Sequence, residues 1–113
     1  MKTRAEHKRD YKSAPPAMGV VLVRNLRNGR FIVEASRNAM GRVNRFKFEI
    51  TSSTNVNPQL QADWRTMGPD AFEIRVLDEL KPKDVPGWDP AEDLEQLKSM
   101  WHTRMIEEGG TPY

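Results

Sequence analysis

Cysteine is absent from the 113-residue chain, which excludes disulfides, zinc–thiolate sites, iron–sulfur clusters and thiol nucleophiles. No apolar run approaches the ~18 residues that a membrane span needs. The opening segment Met1-Lys2-Thr3-Arg4-Ala5-Glu6-His7 lacks the apolar stretch of a secretory signal. Tyrosine is scarce, with only Tyr11 and Tyr113. The two histidines, His7 and His102, stand alone and read as surface residues rather than as a catalytic or metal-binding group. What remains is 37% apolar and 30% charged, enough for one modest core and one domain. The expectation is a soluble cytoplasmic protein with no membrane partner.

The formal net charge of +2 conceals an asymmetry. Residues 1–17 carry a net +3, residues 18–56 a net +5 and residues 57–113 a net −6. The middle segment owes its charge to Arg24, Arg27, Arg30, Arg37, Arg42, Arg45 and Lys47, opposed only by Glu34 and Glu49. A basic first half joined to an acidic second half suggests a one-sided surface for a polyanion. The plainer account is internal pairing between segments of opposite sign.

Residues 1–17 are polar and end in Pro15-Pro16-Ala17, a composition that predicts a flexible basic arm ahead of a domain over 18–113. Gly19–Asn25 and Arg30–Ser36 are β-branched runs of strand length, and Asn28-Gly29 between them predicts an antiparallel hairpin. From Arg37 to about Thr51 the apolar spacing turns helical, with Val43, Phe46 and Ile50 on one face and Ser36 as the expected cap. Asn57-Pro58 opens a helix to about Met67, and Ala71–Leu77 alternates as a strand with one buried face. An irregular connection leads to Asp89-Pro90-Ala91-Glu92, which starts a last helix with a stripe of Leu94, Leu97, Met100, Trp101 and Met105, ended by Gly109-Gly110. The predicted order is β-β-α-α-β-α, an α/β (α+β) domain with a small three-stranded antiparallel or mixed sheet flanked by helices. Trp64, Trp88 and Trp101 read as core or core-edge residues, the six scattered methionines as gap-fillers, and Asp63 as orienting amides near Trp64.

Several segments in this order resemble the GIY-YIG nuclease superfamily, in particular its small stand-alone bacterial members. They are Gly19-Val20-Val21, Asn28-Gly29, Gly41-Arg42-Val43-Asn44-Arg45, Leu60-Gln61-Ala62-Asp63-Trp64, Phe72–Leu80, Pro86-Gly87-Trp88 and Met100-Trp101. The resemblance covers about residues 18–113. It implies metal-assisted phosphodiester hydrolysis, in which a tyrosine from each hairpin strand handles the attacking water. An arginine on the first helix would stabilise the transition state, and a glutamate on the last helix would bind a divalent cation.

Carried onto this chain position by position, that machinery is depleted. The two tyrosine positions hold Val21 and Ile32, the glycine of the second motif is Glu34, and the metal-binding position is Lys98. A position often His or Tyr holds Phe46. Arg42 matches the family arginine and Ser36 its small hydroxyl residue. The leading expectation is therefore a catalytically impaired domain that binds nucleic acid, DNA over RNA. The contacts would come from the arm and from Arg24, Arg27, Arg30, Arg37, Arg42, Arg45 and Lys47. Two alternatives accompany it. One is an endonuclease with a rearranged site using Mg²⁺ or Mn²⁺, for instance on Glu34 and Glu95; the other is a protein-interaction module using the acidic last helix. No metal or cofactor is expected unless the chain is active. An ion pair from Glu34 to Arg42 or Lys98 is expected across the family pocket.

Overall fold

The computed structural model describes residues 15–55 and 57–113, so the greater part of the expected arm lies outside the described residues. Strand β1 (Met18–Asn25) turns into β2 (Arg30–Ser36), followed by helix α1 (Ala39–Thr51) and helix α2 (Pro58–Met67). A short 3₁₀ turn (Pro69–Ala71) leads to β3 (Phe72–Leu80), then α3 (Pro90–Glu107) and a two-residue strand β4 (Thr111–Pro112). The expected order is present, and the sheet has four strands rather than three, ordered β3-β1-β2-β4. The extra strand is short and contains a proline, so no alternation in the sequence announced it. It pairs parallel with Arg30 and Phe31 of β2.

The hairpin forms because β1 and β2 are β-branched and the four residues between them turn the chain. Gly29 adopts φ +75°, and its N–H donates to the Asn25 carbonyl. Asn25 also accepts from the Arg27 and Asn28 amides through Oδ1, at 2.9 and 3.3 Å. β1 pairs antiparallel with β3 on its other side, and the partners jump from Val20↔Asp78 to Val21↔Val76, so Leu77 is an extra, bulged residue. At Gly19 an added β-carbon would collide with the Asp78 carbonyl oxygen, which explains a glycine there.

β1 is an inner strand and is buried on both faces. On one face Val21 and Val23 pack with Val43, Phe46 and Ile50 of α1 and Leu60 of α2. On the other, Val20 and Leu22 pack with Phe31, Val33 and Met105, with Leu97 and Trp101 of α3 alongside. Phe31, Leu22, Ile50 and Leu60 are almost completely buried, each contributing about 1.5–3 kcal/mol by removal from water. The helices therefore sandwich the sheet, with α1 and α2 on one side and α3 on the other. β3, expected to have one buried face, is half-covered on both for the same reason.

Helix α2 starts as expected, with Asn57 accepting from the Leu60 amide at 3.0 Å. Asp89 caps α3 by accepting from the Ala91 amide at 3.0 Å. The cap of α1 is Asn38 rather than Ser36: Asn38 Oδ1 accepts from the Gly41 amide at 3.0 Å. Ser36 instead accepts from the Asn38 amide and donates back to its carbonyl, closing a small turn one step upstream. Met100, expected in the buried stripe of α3, is 42% exposed because the helix packs on the sheet through Leu97, Trp101 and Met105. Among the described residues no helix is long and apolar enough to cross a membrane.

Candidate functional site

Val21, Ile32, Glu34, Arg42 and Phe46 converge on the α1 face of the hairpin. Val21 and Ile32 belong to the hydrophobic cluster on that face, so these two positions give the floor apolar side chains without a hydroxyl. Glu34 lies directly across from Val21 in the β1–β2 pairing. Arg42 and Glu49 stand seven residues apart on α1, two turns along the same side of the helix.

The Arg42 guanidinium is held from both ends. Nη1 donates to Glu49 Oε1 at 2.9 Å, and Nη2 donates to Glu34 Oε2 at 3.0 Å. The guanidinium carbon lies 3.9 Å above the centre of the Phe46 ring, which fixes its plane. The three charged side chains are 27%, 15% and 36% exposed, so the group is half-withdrawn from water. One cation against two carboxylates leaves the cluster with a formal charge of −1. An open depression of 230 Å³ beside it is lined by Ile32, Glu34, Arg42, Phe46, Asn55 and Asn57. An arriving phosphate would have to displace two charge-assisted hydrogen bonds and approach two carboxylates.

Lys98 is not brought to this group. Its helix, α3, packs on the opposite face of the sheet, and its ammonium lies 3.9 Å from Glu95 of the same helix. Glu95 and Glu34 are thus separated by the sheet, which rules out the two-carboxylate cation site considered for them. The expected ion pair forms with Arg42 and not with Lys98. Among the described residues no three His, Cys, Asp or Glu side chains gather as a metal site requires, and an ammonium at position 98 cannot ligate a cation. The carboxylates nearest the depression, Glu34 and Glu49, are both engaged by Arg42.

The other nominated cations divide in two. Arg24 donates to Glu73 at 2.8 Å across β1 and β3, and Arg75 pairs with the same carboxylate. The Arg75 and Arg24 hydrogen bonds hold the Glu73 carboxyl below its usual range, against the opposing effect of burial. Arg37 donates to Asp89 at 2.9 Å, and the Ala91 amide together with Arg37 depresses the Asp89 carboxyl. Arg27, Arg30, Arg45 and Lys47 have no carboxylate partner among the described residues. Arg27 lies in the hairpin turn and Arg30 directly after it, and Arg45 and Lys47 are exposed on α1.

Two participants escaped the sequence reading. Glu49 could have been found, since its spacing from Arg42 puts both on one side of a helix. Tyr113 could not, because nothing local connects it to the hairpin. Its hydroxyl donates to Asp63 Oδ2 at 2.8 Å and accepts from Asn25 Nδ2 at 3.1 Å. Asp63 also accepts from Asn28 and Gln59, at 3.3 and 3.4 Å. Burial first, and then the Asp63 carboxylate, pushes the Tyr113 phenol up to about 12. Asp63 thus ties the hairpin turn to α2 and to the last residue. Of the other tryptophans, Trp101 packs at the margin of the core and donates to Asp78 at 2.9 Å, whereas Trp88, expected at the core or its edge, lies outside both core clusters and donates to Asp93 at 3.0 Å.

No protein-family model matches the chain, and no curated protein does. Among solved structures, the chain is similar to the catalytic domain of the homing endonuclease I-TevI, at TM-score 0.62 and 14% identity over 84% of this chain and 96% of that one. A point mutant of the same intron endonuclease domain matches at TM-score 0.61 and 16% identity, over 83% and 90% of the two chains. I-TevI is a GIY-YIG endonuclease, and the fold seen here is GIY-YIG-like.

Proposed function

We propose that this protein binds nucleic acid, DNA foremost, through backbone phosphates and does not hydrolyse it. The observation that carries this reading is Arg42, doubly engaged by Glu34 and Glu49 above an apolar floor where a nuclease of this fold would need water-activating hydroxyls. Hydrolysis requires an activated water, a stabiliser of the developing charge and usually a cation. Val21 and Ile32 can supply no proton transfer, Arg42 is committed to internal carboxylates, and the donor set does not suit a metal. Binding asks for much less. Arg27 and Arg30 at the turn and Arg45 and Lys47 on α1 are available to phosphate, and the basic residues of segment 1–14 add to them.

Phosphate contacts hold a nucleic acid without reading its sequence. A labelled duplex should therefore be retarded in a gel at low salt, with little preference among sequences, and released as salt rises. Replacing Arg27, Arg30, Arg45 and Lys47 together by alanine should weaken the retardation strongly. Supercoiled plasmid incubated with Mg²⁺ or Mn²⁺ should stay supercoiled. Nicking that disappears in Arg42→Ala would establish an enzyme instead, and binding indifferent to both salt and the fourfold replacement would sink the phosphate interface.

A further inference from the structure

On the same side of the sheet as Arg42, a second depression opens where the C-terminal turns of α1 and α2 meet the start of β3. It has a volume of 460 Å³ and is lined by Lys47, Thr51, Trp64, Pro69, Phe72 and Ile74. Its walls are mainly apolar, and Trp64 and Phe72 form an aromatic pair with centroids 5.3 Å apart and planes tilted by 46°. Lys47 on its rim has no carboxylate partner among the described residues, and neither has Arg45, two residues earlier on α1. Phe48, next to Lys47, is 60% exposed. Apolar rings and a cation without a carboxylate partner among the described residues thus share this groove.

We infer that this groove holds an unpaired nucleobase of a single-stranded nucleic acid, with Lys47 on the adjoining phosphate. The inference rests on the nucleic-acid reading above and extends it from phosphate contact to base stacking. Every base has a π-face, so an aromatic wall beside a cation serves single strands without sequence preference. A duplex keeps its bases stacked on each other and cannot offer one to the groove.

An extended peptide is the other occupant to weigh, because β3 is an edge strand. That edge is ill-suited to strand addition: Leu77 is bulged, and Glu73, Arg75 and Glu79 place charge along it. Charge complementarity on the rim favours a polyanion, since Lys47 lines the groove and no carboxylate does.

The test is tryptophan fluorescence of the full chain titrated with oligothymidine, with a duplex of equal length for comparison. The single strand should quench the emission, and Trp64→Phe, which keeps a ring in the wall, should abolish that quenching while Trp88 and Trp101 still fluoresce. Lys47→Glu, on an exposed position, should weaken single-strand binding by about fivefold or more, and Lys47→Ala should flatten its salt slope by about 0.7. Equal binding of duplex and single strand with no quenching would overturn the groove while leaving phosphate binding intact. No binding of either would remove both readings. Quenching by an acidic apolar peptide but not by oligothymidine would assign the groove to a protein partner and overturn the proposal.

Discussion

Removing the two carboxylates that hold Arg42 should raise affinity for DNA while lowering stability. In Glu34→Gln combined with Glu49→Gln, each side chain keeps its shape and an amide oxygen that can still accept a hydrogen bond, but the negative charge is gone. The guanidinium then becomes available to one more phosphate. Each phosphate neutralised contributes about 0.9 to the slope of log affinity against log salt, so one added contact at 0.1 M salt corresponds to about eightfold tighter binding. With Arg27, Arg30, Arg45 and Lys47 as the contacts of the described region, the slope should steepen from about −3.6 to about −4.5. Any contribution of segment 1–14 enters both proteins equally. The ion pairs being weakened are partly exposed, so the stability lost is small, about 1 kcal/mol in all. Fluorescence anisotropy of a labelled duplex over a salt series measures the slope, and thermal denaturation measures the stability. An unchanged slope with unchanged affinity would refute the idea that the carboxylates withhold Arg42 from phosphate. So would Arg42→Ala weakening the unmodified protein eightfold, because the guanidinium would then already be in use.

Two further outcomes follow from contacts away from Arg42. Tyr113→Phe leaves one Asp63 oxygen with Asn28 alone and Asn25 Nδ2 with only the Met67 sulfur, which should cost about 1–3 kcal/mol in a thermal melt. Because the folded state raises the phenol from 10.0 to about 12, its stabilisation is complete below pH 10 and is lost as pH climbs through that window; melts across it should decline less steeply in Tyr113→Phe, and equal declines would refute the network. Gly19→Ala places a β-carbon against the Asp78 carbonyl, a backbone atom that cannot swing aside, so the urea midpoint should fall by the equivalent of about 1–3 kcal/mol. An unchanged midpoint would mean that the β3 bulge can relax.

The legible parts of the fold were those in which local chemistry decides. The hairpin, the Asn57 and Asp89 caps, and the buried faces of α1 and α2 all follow from side chains within a few positions of one another. The cap of α1 was misplaced by two residues because Ser36 and Asn38 are both good capping groups, and only the position of the Gly41 amide chooses between them. Strand β4 and Tyr113 depend on contacts with residues fifty or more positions away, which no pattern in the final residues encodes. At the candidate site, the substitutions at Val21, Ile32 and Glu34 were readable, and so was a pairing of Glu34 with Arg42. The placement of Lys98 was not. It turns on which face of the sheet receives α3, and β1 is apolar on both, so its sequence gives no direction.

That two-sided apolar character bears on how β1 keeps its alignment. In a strand with one wet face, sliding by a single residue throws the apolar set into water, and the penalty locks the neighbours in place. β1 carries no such penalty, since a slide would merely exchange Val20 and Leu22 for Val21 and Val23 between two dry faces. The lock sits at the ends of the strand instead. Gly19 is the one residue of β1 without a β-carbon to strike the Asp78 carbonyl, and Asn25 is a fully buried amide whose partners are Met67, Tyr113 and two N–H groups of the turn. A slide of one position would press a side chain into that carbonyl and strand the amide without partners. Two residues thus hold in step a strand whose middle would tolerate either setting.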